Sequence, residues 1–344
     1  MRKVRYLASS VAAIALTMGV SMSAGAETLN WASFKSEASK EAMVIAAKWW
    51  AEELEKRTNS EYKVRFHWNG SLASISEVPE AIESGIADIG SAVTPYFVDK
   101  FFLNNVLTFF LPQPNSSGGV IKLMTEWYKN HPQFEQEYLK YNLKVIGLRP
   151  LGNYGILCSV PIRTLEDFKG KRIRSFGRAL PALIKALGGV PVTLKTTDTY
   201  EGLERGILDC TPTDPSLAVG YKWSEVAKYY LLVPMGSTWG QHIVMNKTKF
   251  DSLPNNIQDT ILQLGVDHSK MYNGLLESAE NEVVDGWKAD PTMEVIAFPD
   301  DFFDALVKSD PEIAAVRKDW VDGANARGVR AQEIADQLTR PAKP

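Results

Sequence analysis

The sequence predicts an α/β fold built as two lobes, and three observations carry that expectation. Between Asp167 and Pro215 the chain alternates strand, helix, strand, helix and strand, the βαβ rhythm of a parallel sheet. Glu80–Asp88 and Glu201–Asp209 both read E-x-[I/L]-E-x-G-I-x-D, 121 residues apart. Each is a helix end, a glycine C-cap and a strand start, as expected of two similar lobes. The chain also crosses between halves twice, near 151 and near 240, which suits lobes sharing a hinge better than beads on a string.

The elements follow in order. Leu29–Ala32 reads as a first strand, and Ser39–Thr58 as a helix with Met43, Ala46, Trp50 and Leu54 at helical spacing. Tyr62–Trp68 alternates as a strand and stops at the turn dipeptide Asn69-Gly70. Ser74 and Glu77 form a capping-box pattern opening a helix to Gly85, and Ile86–Ala92 is the next strand. Phe101–Leu111 is strongly apolar and ends at Pro112. Gly119–Tyr138 reads as helix interrupted near Pro132, Leu143–Leu148 as a strand, and Pro150–Gly155 as the first crossover.

The central stretch opens with the extended Tyr154–Val160 and a short strand, Arg172–Arg174. A helix over Arg178–Leu187 carries Pro181 in its first turn, where the missing N–H costs little, and Gly188-Gly189 ends it. Val190–Leu194 returns as a strand, Thr197 or Asp198 caps a helix ending at Gly206, and Ile207–Thr211 is the third strand. Leu217–Leu232 reads as helix and Gln241–Met245 as a strand returning to the first lobe. A long helix from Pro254 to about Trp287, capped by Asp251 or Ser252, follows. Met293–Phe298 as a strand, a short helix at Asp301–Val307 and a final helix from Pro311 to about Leu338 complete the chain.

In such sheets the ligand crevice lies outside the carboxyl ends of the strands. Arg174 stands at such an end, as do Thr211–Pro215 and, in the first lobe, Ala92–Tyr96. A guanidinium held there offers a planar fork of donors matched to a carboxylate. A surface arginine in a loop is the alternative.

Composition narrows the classes. Arg2, Lys3 and Arg5, an apolar run over Leu7–Val20 and the small residues Ala24-Gly25-Ala26 make residues 1–26 a cleavable secretory signal, implying export to the periplasm. Without the three basic residues of the leader, the net charge of −3 becomes about −6, which gives no general electrostatic reason to bind nucleic acid. The two cysteines, Cys158 and Cys210, could form a disulfide in an oxidising compartment or remain buried thiols. The four histidines show no metal-ligand spacing, and no nucleophile elbow, phosphate loop or dinucleotide fingerprint occurs, so neither a metal, a cofactor nor catalysis is expected.

Pro161–Arg174, P-I-x-T-x-E-D-F-K-G-K-R-I-R, resembles the core motif of solute-binding proteins of tripartite ATP-independent periplasmic (TRAP) transporters, C4-dicarboxylate-binding type. Tyr200–Asp209, Trp223–Tyr230, Met245–Pro254, Asn69–Leu72 and Gly85–Ile89 match the same pattern in order. The resemblance implies a periplasmic-binding-protein-like fold with hinge strands and a long lobe-bracing helix. It places lobe I at 27–151 plus about 240–280, and lobe II at 152–239 plus about 281–344 with the C-terminal helices. It implies a receptor that binds a small organic carboxylate between the lobes and delivers it to the membrane subunits of a TRAP permease, as a monomer or a homodimer. An exported binding protein for another uptake or sensing system is the alternative, with a secreted hydrolase or lyase behind it.

The resemblance makes Arg174 the bidentate carboxylate ligand. It departs at Thr213-Asp214, where the family usually has asparagine: threonine loses the amide fork, and an inward Asp214 would favour a cationic or hydroxyl-bearing group. Asn153 stands near a family position that is often a second arginine, which argues against a second strong anion clamp. Trp31, Tyr96 and Trp239 stand at loop ends that would border the cleft, each either stacking on the ligand or packing into the core.

Overall fold

The computed structural model describes residues 26–239 and 241–339, so the expected leader lies outside the described residues except for its last alanine. The strands are β1 (Glu27–Ala32), β2 (Tyr62–His67), β3 (Ile89–Ala92), β4 (Leu143–Gly147), β5 (Pro150–Asn153), β6 (Gly155–Cys158) and β7 (Arg172–Ser175). They continue as β8 (Val190–Thr193), β9 (Cys210–Thr213), β10 (Tyr229–Leu232), β11 (Ser237–Trp239), β12 (His242–Asn246) and β13 (Glu294–Ala297).

Two mixed sheets form the two lobes. The first runs β2-β1-β3-β12-β4 and the second β13-β10-β6-β9-β7-β8. β1 pairs parallel with β2 and β3, and β7 parallel with β8 and β9, as the βαβ rhythm requires. Within the first sheet β12 runs antiparallel to its neighbours, and within the second β6 does so. Both are strands that arrive from the opposite sheet. The chain leaves β4 through β5 to reach β6, and returns from β10 through β11 to β12. β5 and β11 pair side by side, Ser237 opposite Asn153 and Trp239 opposite Pro150, so the two crossings form one ribbon.

Apolar periodicity explains the cores. The helix Ala42–Arg57 turns Met43, Ala46, Trp50 and Leu54 inward, as their spacing predicts. Trp50 packs with Leu29, Trp31, Ile89 and Ile243 beneath the first sheet. Leu180, Leu183 and Ile184 fill the second sheet's core with Ile156, Ile173 and Leu231. The helix Asn255–Ala289 serves both: Ile261 and Leu264 join the first core, and Trp287 packs with Tyr230 and Leu217 in another at the second sheet. At Gly265 a Cβ would stand 1.7 Å from the Ile146 carbonyl oxygen, so the helix backbone lies directly on β4.

Several elements differ from expectation. Leu217–Leu232 is not one helix: Pro215–Gly220 is helical, Trp223–Glu225 is a short 3-10 turn, and Tyr229–Leu232 is β10. Tyr229 and Tyr230 take the extended form because they pair with β13 on one side and β6 on the other. The final helix breaks into Pro311–Ala326 and Ala331–Thr339, with Gly328 at φ 77° between them. Asp251 and Ser252 do not cap the long helix; they end a separate helix, Lys247–Ser252. β3 and β9 begin three residues later than read, after Gly85 and Gly206 have turned the chain at positive φ. Cys158 and Cys210 are bonded, directly opposite one another in β6 and β9.

Candidate functional site

β7 lies between β9 and β8 and carries Arg174 to its carboxyl end. The side chain is only 2% exposed. Its Nε donates to the Leu194 carbonyl at 2.9 Å, and Nη2 donates to Thr196 Oγ1 at 2.9 Å and to the Tyr96 hydroxyl at 3.5 Å. Its guanidinium carbon lies 4.9 Å from the centre of the Phe176 ring. Among the described residues no carboxylate pairs with it. A buried, uncompensated guanidinium is costly to hold, so its charge calls for an anion from outside the fold.

The facing wall comes from the end of β3, where the chain tightens into the 3-10 turn Thr94–Tyr96. The Tyr96 hydroxyl accepts from the Thr196 backbone N–H at 2.8 Å and lies 2.9 Å from Thr196 Oγ1. A cavity of about 20 Å³, room for roughly one water, is lined by Tyr96, Tyr154, Arg174, Phe176, Thr196 and Gln241, among others. Gln241 Oε1 is buried and has no hydrogen-bond partner among the described residues.

Other contacts draw the two sheets together around this point. Lys195 Nζ donates to Ser76 Oγ at 2.8 Å, and Arg178 pairs with Asp99 at 3.0 Å. Lys35 Nζ lies 3.9 Å from the centre of the Tyr221 ring and pairs with Glu41 at 2.6 Å. Gly220 packs so closely against Glu41 that a Cβ would meet its Cγ at 1.9 Å.

The residues expected from sequence divide. Arg174 and Tyr96 share the cavity. Asp214 is turned inward and is 2% exposed. Its Oδ1 accepts from the Leu217 N–H at 2.8 Å as the cap of Pro215–Gly220, while Oδ2 has no hydrogen-bond partner among the described residues. Burial pushes its carboxyl up to about 7, aided by Glu280 and Glu41 and opposed by the Leu217 N–H and Lys35. Thr213 is sealed: its hydroxyl donates to the Asp214 carbonyl. Asn153 is turned away; its backbone N–H and Nδ2 donate to the two oxygens of Glu280 beside an outer groove. Trp31 lies against Trp50 and Phe66 and lines a second, first-lobe cavity. Trp239 ends β11, and its side chain is outside the described residues.

The residue that sequence reasoning missed is Arg149. It lies between β4 and β5 and is 1% exposed. Its Nε donates to the Gln241 carbonyl at 2.9 Å and its Nη2 to Ser91 Oγ at 2.6 Å, with no carboxylate paired to it among the described residues. Burial pulls its ionisation down to about 10. It lines the second cavity with Trp31, Ser33, Phe34, Lys35 and Trp68. The strand-end logic that found Arg174 applies here too, since Leu148 ends a predicted strand.

Comparison with known proteins agrees with this architecture. The family of bacterial extracellular solute-binding proteins, family 7, matches residues 34–313. The ectoine-binding periplasmic protein TeaA of Halomonas elongata is 27% identical over 44% of this chain and 45% of its own. The 2,3-diketo-L-gulonate-binding periplasmic protein YiaO of Escherichia coli is 24% identical over 76% of this chain and 80% of its own. Four of the curated relatives, TeaA among them, are matched over only 37% to 45% of their length. In fold, the chain resembles DctP7 of Bordetella pertussis, a receptor binding pyroglutamic acid, at TM-score 0.76 with 20% identity, covering 90% of this chain and 99% of that one.

Proposed function

The chain belongs to the family 7 bacterial extracellular solute-binding proteins, the receptors of TRAP transporters, and from that footing we propose that it captures a small organic carboxylate between its lobes and delivers it to a TRAP permease. It does so without catalysis, as an exported protein whose leader over residues 1–26 is removed in the periplasm. The single observation that carries this function is Arg174, buried at the end of β7 with no acid paired to it among the described residues. A carboxylate would complete its fork of donors bidentately.

The lobes are assigned as 27–151 plus about 240–280, and 152–239 plus about 281–344, with the β5–β11 ribbon as hinge. Arg174 anchors the ligand on lobe II. Tyr96 and the end of β3 meet it from lobe I, so that binding and closure form one equilibrium.

Isothermal titration against a panel of organic acids tests the assignment. Arg174→Ala leaves a desolvated anion unpaired, at about 2–5 kcal/mol. That is roughly 30-fold to several-thousand-fold in affinity. Arg174→Lys also weakens binding, because a point charge does not reproduce the planar fork. Unchanged affinity in Arg174→Ala would overturn the role of this residue.

A further inference from the structure

A guanidinium without an acid also stands away from the cleft. Arg317 belongs to the helix Pro311–Ala326, and its guanidinium carbon lies 5.7 Å from the centre of the Phe110 ring. Its Nη2 donates to the Pro112 carbonyl at 2.9 Å and to that of Phe110 at 3.4 Å. Its Nε is buried with no hydrogen-bond partner among the described residues, and no carboxylate among them pairs with it. Burial alone pulls its ionisation below the usual guanidinium range, with no acid opposing the fall. Holding a desolvated charge in this way is costly unless an anion completes it.

The side chain lines a cavity of about 400 Å³, room for a small organic molecule. This cavity shares no lining residue with that of Arg174. Pro112, Pro114, Pro234, Phe303, Val307 and Leu338 give it apolar walls. Its other polar groups are committed or exposed. Gln113 Nε2 donates to the carbonyls of Asn115 and Ser237, while its Oε1 accepts from the backbone N–H and Nδ2 of Asn115. The Thr339 hydroxyl donates to the Ala335 carbonyl. Asp300 and Asp304 are exposed, and neither pairs with Arg317. Residues 340–344 carry Arg340 and Lys343 and no acidic side chain, so they offer Arg317 nothing that complements it.

The lining selects the class of anion. Inorganic phosphate would answer the guanidinium and leave the apolar walls uncovered. A dianion would set its second charge against Asp300 and Asp304. One carboxylate on a hydrocarbon body meets both demands, its oxygens on the guanidinium and its carbons on the walls.

We infer that the cavity beside Arg317 is a second ligand site, taking an amphiphilic monocarboxylate whose acid group pairs with Arg317 and whose hydrocarbon body packs on Phe303, Val307 and Leu338. This site goes beyond the proposed function and does not depend on what the cleft binds.

Isothermal titration with octanoate tests it in the Arg174→Ala protein, where the expected cleft anchor is gone. One octanoate binds per chain. Adding Arg317→Gln weakens it roughly tenfold to a hundredfold, the loss of a charge-assisted hydrogen bond. Acetate, which lacks the hydrocarbon body, and octanol, which lacks the charge, each bind at least about tenfold more weakly than octanoate. Absence of octanoate binding in Arg174→Ala, unchanged affinity on adding Arg317→Gln with circular dichroism confirming folded protein, or octanol binding as tightly as octanoate overturns the inference. None of these results touches the role of Arg174.

Should Arg317→Gln not fold, Asp304→Asn reads the site from an exposed position. Suberate, with a carboxylate at each end, then gains roughly threefold in affinity relative to octanoate, since one exposed repulsion is relieved. An unchanged ratio places these acids elsewhere on the molecule.

Discussion

Asp214 ionises against its surroundings. Burial raises its carboxyl to about 7, with Glu280 and Glu41 adding to the rise and the Leu217 N–H and Lys35 opposing it. The folded protein therefore holds that proton more tightly than the unfolded chain, whose carboxyl titrates near 4. Its protonation favours folding most at acid pH, and that contribution is lost as pH climbs from about 4 through about 7, by on the order of a few kcal/mol. Asp214→Asn should flatten this part of the curve and raise the melting temperature at pH 8 relative to the parent. An unchanged difference in melting temperature between pH 5 and pH 8 would show that the carboxyl is not strained. Residues at strand ends were legible from sequence to differing degrees. Arg174 was singled out less by its strand end, where a surface arginine was the stronger reading, than by the family motif that it closes. Thr213 was misplaced, since its side chain turns into the sheet and bonds the next carbonyl, whereas Asp214, one residue on, becomes a helix cap. Arg149 escaped because Pro150 and Gly152 made its neighbourhood read as a simple crossover.

At the scale of elements, the long helix depends on the absence of one side chain. Gly265 brings its backbone onto β4, where an added Cβ would press on the Ile146 carbonyl. Gly265→Ala gains up to about 1 kcal/mol of helix propensity and loses about 1–3 kcal/mol or more to overpacking. Gly274, exposed on the same helix with open space where its Cβ would lie, should gain stability on the same change. Urea denaturation of the two variants reads the contrast, and a stabilised Gly265→Ala would contradict the packing. The elements legible in the sequence were those with strong local signals: glycine C-caps, the βαβ rhythm and the periodic apolar face of Ala42–Arg57. Tyr229–Leu232 was not legible. Its residues read as the tail of a helix, and only the distant partners β6 and β13 make them a strand. The break at Gly328 was hidden for a similar reason, because amphipathic spacing continues across it.

For the whole molecule, the proposed closure rests on contacts between the sheets. Tyr96 meets Thr196, Asp99 meets Arg178, and Glu41 packs on Gly220. Gly220→Val places a branched side chain where Glu41 now lies and holds the lobes apart. Affinity then falls with the population of the closed state. Small-angle scattering should show a larger radius of gyration for this variant at saturating ligand, and equal radii would separate Gly220 from closure. The two-lobed plan was readable because each crossing leaves a mark in the sequence, whereas the width of the cleft depends on side-chain meetings that sequence does not order. A crystal structure with the tightest-binding acid of the titration panel tests the central claim most directly. The account predicts a ligand carboxylate oxygen about 2.7–2.9 Å from the Arg174 guanidinium nitrogens, with both lobes around it. A ligand bound elsewhere, with Arg174 still held only by Leu194, Thr196 and Tyr96, would contradict it.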